Sequence, residues 1–298
     1  MSMKKQPALN WLVPLIVILS LITAGAGLFW QSKGNSYAFS TLYGETAQIY
    51  GQGLYAHDTT FSAGASQGAD LVALFIVLPL VVVSFMFYRR GSLRGGFLLA
   101  SALAYCLYYG ASLGLIVAYN NLYLVYLALF SASFFAFILS LTMFDWPTLI
   151  AHISERLPRR GMAIFMFMVG AGVAFIWLSD VVNAQTTGSV PEALGANISL
   201  ITYTLDVGVI VPACMLAGIQ LLRRDPLGYL LAGVLTILLT LIGAMVIGTT
   251  IMQLYLGIEF TPGQMVGKIG TWILMGGIAV WLSIAFLRNL SNSAIPDE

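Results

Sequence analysis

Long apolar runs alternate with short polar segments along the whole chain. Each run is long enough to cross a ~30 Å hydrocarbon core as a helix, which takes about 20 predominantly apolar residues. The predicted spans are 11–30, 69–88, 95–119, 122–144, 161–182, 198–222, 227–256 and 262–287. The pattern therefore predicts an all-α, polytopic integral membrane protein with eight transmembrane helices.

The composition agrees with this pattern and excludes several classes of function. Hydrophobic residues make up 59% of the chain and charged residues 8%, whereas soluble domains carry about 25% charged residues. A net charge of +1 gives no reason to expect a nucleic-acid partner. Cys106 and Cys214 both fall within apolar runs, which favours buried thiols over a disulfide. With two histidines and no CxxC motif, we expect no zinc or haem site and no other cofactor.

The positions of the basic residues predict how the helices are oriented. If the N-terminus is inside, almost all of the basic residues fall in cytoplasmic turns, as the positive-inside rule requires. They are Lys4, Lys5, Arg89, Arg90, Arg94, Arg156, Arg159, Arg160, Arg223, Arg224 and Arg288. Only Lys33 and Lys268 remain for the other side. We predict that both termini are inside and, from the short cytoplasmic turns, that the protein resides in a bacterial plasma (inner) membrane.

Two features near the N-terminus have alternative interpretations. The first apolar run contains a small-x-small motif at 24–26 that resembles a signal-peptide cleavage site, but its length favours an uncleaved first span. The following segment, 31–68, is rich in Gly, Ser, Thr and Tyr. We expect it to form a folded outer loop that caps one membrane face.

The two halves of the sequence share a pattern that suggests a parallel 4+4 repeat, with halves at 1–160 and 161–298. The second and sixth predicted spans each contain an aspartate, an interior proline and a terminal Arg-Arg pair. The aspartates are Asp70 and Asp206, and the prolines are Pro79 and Pro212. The Asp-to-Pro spacings differ by three residues, and convergent membrane-helix composition is the alternative explanation. Parallel repeats occur in transporters, where the binding site lies between the halves.

Asp206 is the leading candidate for a binding residue. At ~1.5 Å per residue it would lie roughly 10 Å below the outer end of its helix, where a charged side chain is costly and often functional. Pro212 should kink the helix beside it and release a backbone carbonyl. The predicted helical face comprises Thr202, Asp206, Val209, Ala213, Ala217 and Gln220. We expect this face, with Tyr203 nearby, to bind an ion, a proton or a small polar or lipidic ligand.

Lys268 is the predicted partner of Asp206. It is the only basic residue inside a predicted span and lies in the outer half of the eighth. A lone buried cation would deprotonate or pair with a carboxylate. The alternatives to a functional pair are a structural ion pair and a lysine that snorkels to the surface.

Further polar side chains accompany Asp206 in the outer half of the predicted bundle. Asp70 is a candidate ligand, although its place at a predicted helix start also suits a helix cap. Asp180 lies at a helix end where solvent exposure would explain it. The third span presents Tyr105, Tyr108 and Tyr109 at helical spacing, which suits either a cavity wall or helix–helix packing.

Two other classes of function stay open. His57 and Asp58, with Glu45 nearby, could serve an enzyme acting at the outer leaflet, although adjacent residues usually point apart and no catalytic motif supports it. The aromatic residues of 31–68 could instead dock a membrane-protein partner, which would make the chain a non-catalytic accessory subunit. We therefore expect an outward-facing polar cavity for transport or sensing, and a non-enzyme rather than an enzyme.

Overall fold

The computed structural model describes residues 3–30, 32–191 and 194–292, without the side chains at positions 147 and 268. Within these ranges, eight helices are long and apolar enough to cross a membrane, which confirms the prediction from hydropathy. They are α1 (Leu9–Phe29), α2 (Thr60–Arg89), α3 (Leu93–Leu115), α4 (Tyr123–Leu141), α5 (Arg159–Thr187), α6 (Ile201–Leu222), α7 (Pro226–Tyr255) and α8 (Pro262–Arg288). A one-turn helix, Trp146–Leu149, and a 3₁₀ turn, Ile150–His152, lie between α4 and α5.

The helices begin at polar side chains that satisfy free backbone donors. Thr59 accepts from the backbone N–H of Ser62 at 3.1 Å, and Ser92 accepts from that of Gly95 at 3.2 Å. Asp225 caps α7 directly before a proline, where the missing N–H has no cost. These caps fix the starts of α2, α3 and α7.

In two of the helices, a π turn ends two residues before an interior proline. In α2 the π turn is Ala73–Val77, and in α6 it is Asp206–Ile210. Each turn closes when the next residue donates its N–H five residues back, to Ala73 in α2 and to Asp206 in α6. Such a turn inserts one extra residue and rotates the buried face of the rest of the helix. A third π turn, Met265–Gly270, lies near the start of α8.

Helices α3 and α7 form the centre of the bundle, since 67% of the residues in the most apolar 18-residue stretch of each helix are buried. Phe97 of α3 packs against Phe286 of α8 at 4.8 Å between ring centroids. Helices α2 and α7 cross closely at glycines. A Cβ at Gly68 would lie 2.3 Å from the Cα of Thr249, so only glycine permits this approach.

One end of the bundle, the basic end, gathers the arginine-rich turns. Lys4 donates its backbone N–H to Met143, and Ser154 donates its own to Asn289. Arg94 donates to the carbonyl of Leu290. These bonds join the N-terminal segment to the turns that follow α2, α4 and α8.

The opposite end, the loop end, carries a short antiparallel hairpin of β1 (Tyr37–Ser40) and β2 (Thr46–Ile49). The hairpin is largely exposed, with Leu42 at its turn 84% accessible. After β2 the chain folds back on itself, because Tyr50 donates its N–H to the carbonyl of Asp58. The predicted outer loop is therefore folded, but it is shorter than 31–68.

The start of the second helix differs from the prediction. Helix α2 begins at Thr60 rather than at 69, because the small residues of 60–68 pack against α7 instead of forming loop. Cys106 and Cys214 are both buried and unpaired, as predicted. Helix α3 of the first predicted half packs against α7 of the second. The proposed repeat and its boundaries stay predictions.

Candidate functional site

Asp206 is the first residue of the π turn in α6 and is 7% exposed. Its Oδ1 accepts a hydrogen bond from the Tyr108 hydroxyl at 3.0 Å. Its Oδ2 accepts one from the indole N–H of Trp177 at 2.9 Å. Both donors are neutral, so they orient the carboxylate without compensating its charge.

A cavity of about 260 Å³ lies between α5 and α6. Asp206 does not line it, but its donor Trp177 and the adjacent Val207 do. Trp177 and Tyr203 form its aromatic wall, with ring centroids 4.2 Å apart and an interplanar angle of 27°. The hydroxyl of Tyr203 donates to the carboxylate of Asp180. The remaining lining residues are Leu178, Val181, Leu200, Thr204 and Val207. The cavity is thus mostly apolar, with aromatic rings between two carboxylates.

Asp70 occupies a second, closed site on α2. It is completely buried, and its Oδ2 accepts from the Tyr55 hydroxyl at 2.7 Å. Its Oδ1 accepts from the hydroxyl of Tyr109. Gly27 of α1 closes the site, since a Cβ there would lie 1.8 Å from Oδ2. The prediction that Asp70 caps a helix is wrong. Helix α2 begins at Thr60, well before Asp70, and Thr59 is its cap.

Neighbouring tyrosines of α3 connect the two carboxylates. Tyr108 donates to Asp206, and Tyr109 donates to Asp70. Tyr105 stacks on Tyr109 at 6.4 Å and is fully buried. Its hydroxyl has no hydrogen-bond partner among the described residues. The predicted tyrosine face therefore lies between the candidate carboxylates, in contact with both.

The side chain of Lys268 lies outside the described part of the structure, so its pairing with Asp206 stays a prediction. The described side chains form no ion pair with Asp206. Asp180, expected to be explained by exposure alone, is instead half-buried and bonded to Tyr203.

The predicted helical face of α6 is wrong at Val209 but correct at Ala217. Val209 is 58% exposed, whereas Cys214, Ala217 and Leu221 are buried. An ordinary α-helix would have carried the face of Asp206 to Val209. The π turn adds a residue and rotates Val209 outward.

The alternative catalytic set in the outer loop is not brought together. Glu45 and His57 are exposed, whereas Asp58 is 6% exposed and faces the bundle. Asp58 Oδ1 accepts from the backbone N–H of Ala118 at 3.0 Å, and its Oδ2 has no partner among the described residues. Burial raises the pKa of Asp58 from 3.8 to about 6. This carboxylate anchors the loop to the turn after α3.

Several residues of these sites carried weak signals in the sequence. Gly64 and Gly68 form a GxxxG motif, a common helix-packing signal, but they fell within the predicted loop. Tyr55 and Trp177 could not be assigned to Asp70 and Asp206, because no short spacing links the partners.

The described residues contain no cluster of three or more His, Cys, Asp or Glu side chains that could hold a metal ion. Comparison with protein-family models, curated proteins and solved structures gives no match. The geometry of Asp206 and its cavity is therefore the basis for a functional assignment.

Proposed function

We propose that the chain is a multi-pass membrane protein that binds a proton or a small cation at Asp206 and moves it across the membrane. The observation that carries this proposal is the buried carboxylate of Asp206, held by two neutral donors, one of which, Trp177, lines an open cavity. A carboxylate at this depth needs a compensating positive charge. A proton or a cation that enters from the cavity would supply it.

The size and lining of the cavity favour a small occupant. Its volume of about 260 Å³ is below the roughly 300–1,000 Å³ of pockets for drug-sized ligands. The rings of Trp177 and Tyr203 present π faces that attract cations. A bulky lipidic ligand fits this site less well than a proton, a metal cation or a small amine.

The proposed direction follows from the distribution of charge. The basic end would face the cytoplasm under the positive-inside rule, which would place Asp206 and the loop end on the outer side. The site would then load from outside, and release inward would need a rearrangement of α6. The π turn at Asp206–Ile210 is a natural hinge, because π turns concentrate at functional sites.

Proteoliposomes with a pH-sensitive dye trapped inside test this proposal. We expect the unaltered protein to change the internal pH under an imposed potential or cation gradient, and Asp206→Asn to abolish that flux while remaining folded. Asp225→Asn is the matched control, since Asp225 lies in a turn at the basic end, and it should keep most of the flux. Equal flux through the Asp206→Asn protein would refute the proposal.

A second candidate is an accessory role through the hairpin. Tyr37, Phe39, Leu42 and Tyr43 are all at least 45% exposed at the loop end, which suits docking of a membrane-protein partner. Replacing 37–49 by a short Gly-Ser linker, which spares α2, would abolish co-purification of such a partner. Under the transport proposal the same change would leave flux through liposomes largely intact.

A further inference from the structure

A second cavity, of about 520 Å³, opens at the basic end, opposite the proposed cation site. It lies between the start of α3, the segment that precedes α5 and the residues that follow α8. The polar residues on which the argument depends are Ser92, Arg94, Ser154, Arg156, Arg288 and Asn292.

Backbone and side-chain hydrogen bonds hold the walls of this cavity together. Arg94 donates from Nε and Nη2 to the carbonyl of Leu290 at 3.2 and 2.8 Å. Leu93 donates its N–H to Oδ1 of Asn292 at 2.9 Å, and Ser154 donates its own to the carbonyl of Asn289. The three wall segments are therefore cross-linked, so the cavity is preformed rather than a gap between loose turns.

The cavity carries concentrated positive charge. Arg94 is bonded to a neutral carbonyl, which leaves its charge uncompensated. Arg156 and Arg288 add two further guanidinium groups, and no carboxylate belongs to the described lining. Helix α3 also begins at this cavity, with Ser92 as its cap, and adds the positive end of its dipole.

We propose that this cavity binds a phosphate group, presented either by an anionic lipid headgroup or by a soluble phosphorylated molecule. Guanidinium groups match phosphate oxygens with paired N–H donors, and the hydroxyls of Ser92 and Ser154 can donate as well. The volume is within the range of ordinary ligand sites. The proposed transport does not require this site.

The alternative is that the arginines of this cavity only set the orientation of the protein in the membrane. Arg223 and Arg224 provide the matched comparison, because they lie in another turn at the basic end and do not line the cavity. If anion binding depended only on general surface charge, Arg223 and Arg224 would contribute to it as much as the arginines that line the cavity. If the cavity is a specific binding site, only the arginines that line it should matter.

The test uses the purified full chain and two probes. Calorimetry in phosphatidylcholine nanodiscs measures the binding of pyrophosphate, and native mass spectrometry in detergent measures retention of phosphatidylglycerol. For the probe that binds, we expect Arg156→Gln with Arg288→Gln to lower affinity about tenfold or more, since two charge-assisted contacts are lost. Arg223→Gln with Arg224→Gln should change it less than about twofold.

The outcome identifies the source of the phosphate. Loss in the lipid arm alone assigns a headgroup, and loss in the pyrophosphate arm alone assigns a soluble ligand. Binding of neither probe, or equal losses in both double variants, overturns the proposal. If the cavity variant does not fold, Arg156→Lys replaces it. That change keeps the charge but removes the planar fork, and it should still weaken binding more than Arg223→Lys does.

Discussion

Asp70 and Asp206 are two buried carboxylates in one bundle, but their surroundings differ. Asp70 is sealed between Gly27 and two tyrosine hydroxyls and has no exposed surface. Asp206 also accepts two hydrogen bonds and is 7% exposed, but one of its donors, Trp177, lines an open cavity. Similar sequence contexts have therefore produced a sealed polar contact in one helix and, in the other, a carboxylate whose donor faces a cavity. Burial alone therefore does not distinguish the two carboxylates, whereas the cavity near Asp206 does.

The largest expected effect concerns the glycine that closes the Asp70 site. In Gly27→Ala the new Cβ would lie 1.8 Å from Asp70 Oδ2, so the carboxylate or α1 must move. We expect a loss of roughly 3 kcal/mol in the free energy of unfolding, from overpacking and broken hydrogen bonds. Unfolding in mixed detergent micelles measures this change.

Gly172→Ala is the matched control for that variant. Gly172 ends a Gly-Ala-Gly triplet in α5, as Gly27 does in α1, and nothing lies within 4 Å of a Cβ there. The free energy of unfolding should change by less than about 1 kcal/mol, and helix propensity favours a gain. Equal losses in the two variants would show that the Asp70 site is not closed by Gly27.

The adjacent tyrosines give a smaller contrast on a single helix. Tyr109→Phe leaves Oδ1 of the sealed Asp70 without its donor, which should cost about 1–3 kcal/mol of unfolding free energy. Tyr108→Phe should cost less than about 1 kcal/mol, because Asp206, unlike Asp70, keeps some exposed surface at which water can replace the hydroxyl. Thermal unfolding of both variants in detergent makes the comparison, and the reverse order would contradict the assignment of open and closed sites.

The sequence was sufficient to predict the helices but not the two environments. Long apolar runs are a local property of the sequence, so all eight helices that could cross a membrane were recognisable. The π turn before Pro212 was not, because it depends on backbone geometry that hydropathy does not encode. Helix α2 was predicted to start too late, since the GxxxG segment 64–68 is rich in small residues and its packing against α7 is a long-range contact.

The chemistry of the sites was predicted only in part. Asp206, Tyr108 and Tyr203 do lie together at one site, with Tyr203 reaching it by stacking on Trp177. Tyr109 and Asp70 form the other. The different surroundings of Asp70 and Asp206 depend on Gly27, Tyr55 and Trp177. The contacts of these residues join distant parts of the chain. Such long-range pairs leave no spacing pattern in a single sequence.

A change at Trp177 tests the open site. Trp177→Phe keeps an aromatic ring beside Tyr203 but removes the N–H that Asp206 accepts. A hydrogen bond to a charged group is worth about 1.5–3 kcal/mol, so we expect at least a roughly tenfold loss of flux in proteoliposomes. Phe175→Leu, a change on the exposed surface of α5, should leave flux unchanged. If the Trp177→Phe protein had the same flux as the unaltered protein, the indole N–H would not be needed for transport.

The smallest expected effect concerns Asp58, a third buried carboxylate, which lies outside the helices. Its oxygen Oδ2 has no described partner, and burial raises its pKa to about 6. Because this folded-state pKa exceeds the ordinary value of 3.8, the folded protein holds the proton more tightly than the unfolded chain does. The free energy of unfolding therefore falls as the pH rises from about 4 to above 6, because Asp58 then has to ionise in a buried position.

Asp58→Asn removes that charge and keeps an oxygen to accept from Ala118. At pH 7.5 we expect it to raise the free energy of unfolding by about 1 kcal/mol, the gain being limited because the new amide group lacks an acceptor. At pH 4 the two proteins should be nearly equally stable, since Asp58 is then protonated. Thermal midpoints measured between pH 4 and 8 test this, with the exposed Glu45→Gln as control. A difference that does not depend on pH would show that the effect of Asp58 is steric rather than electrostatic.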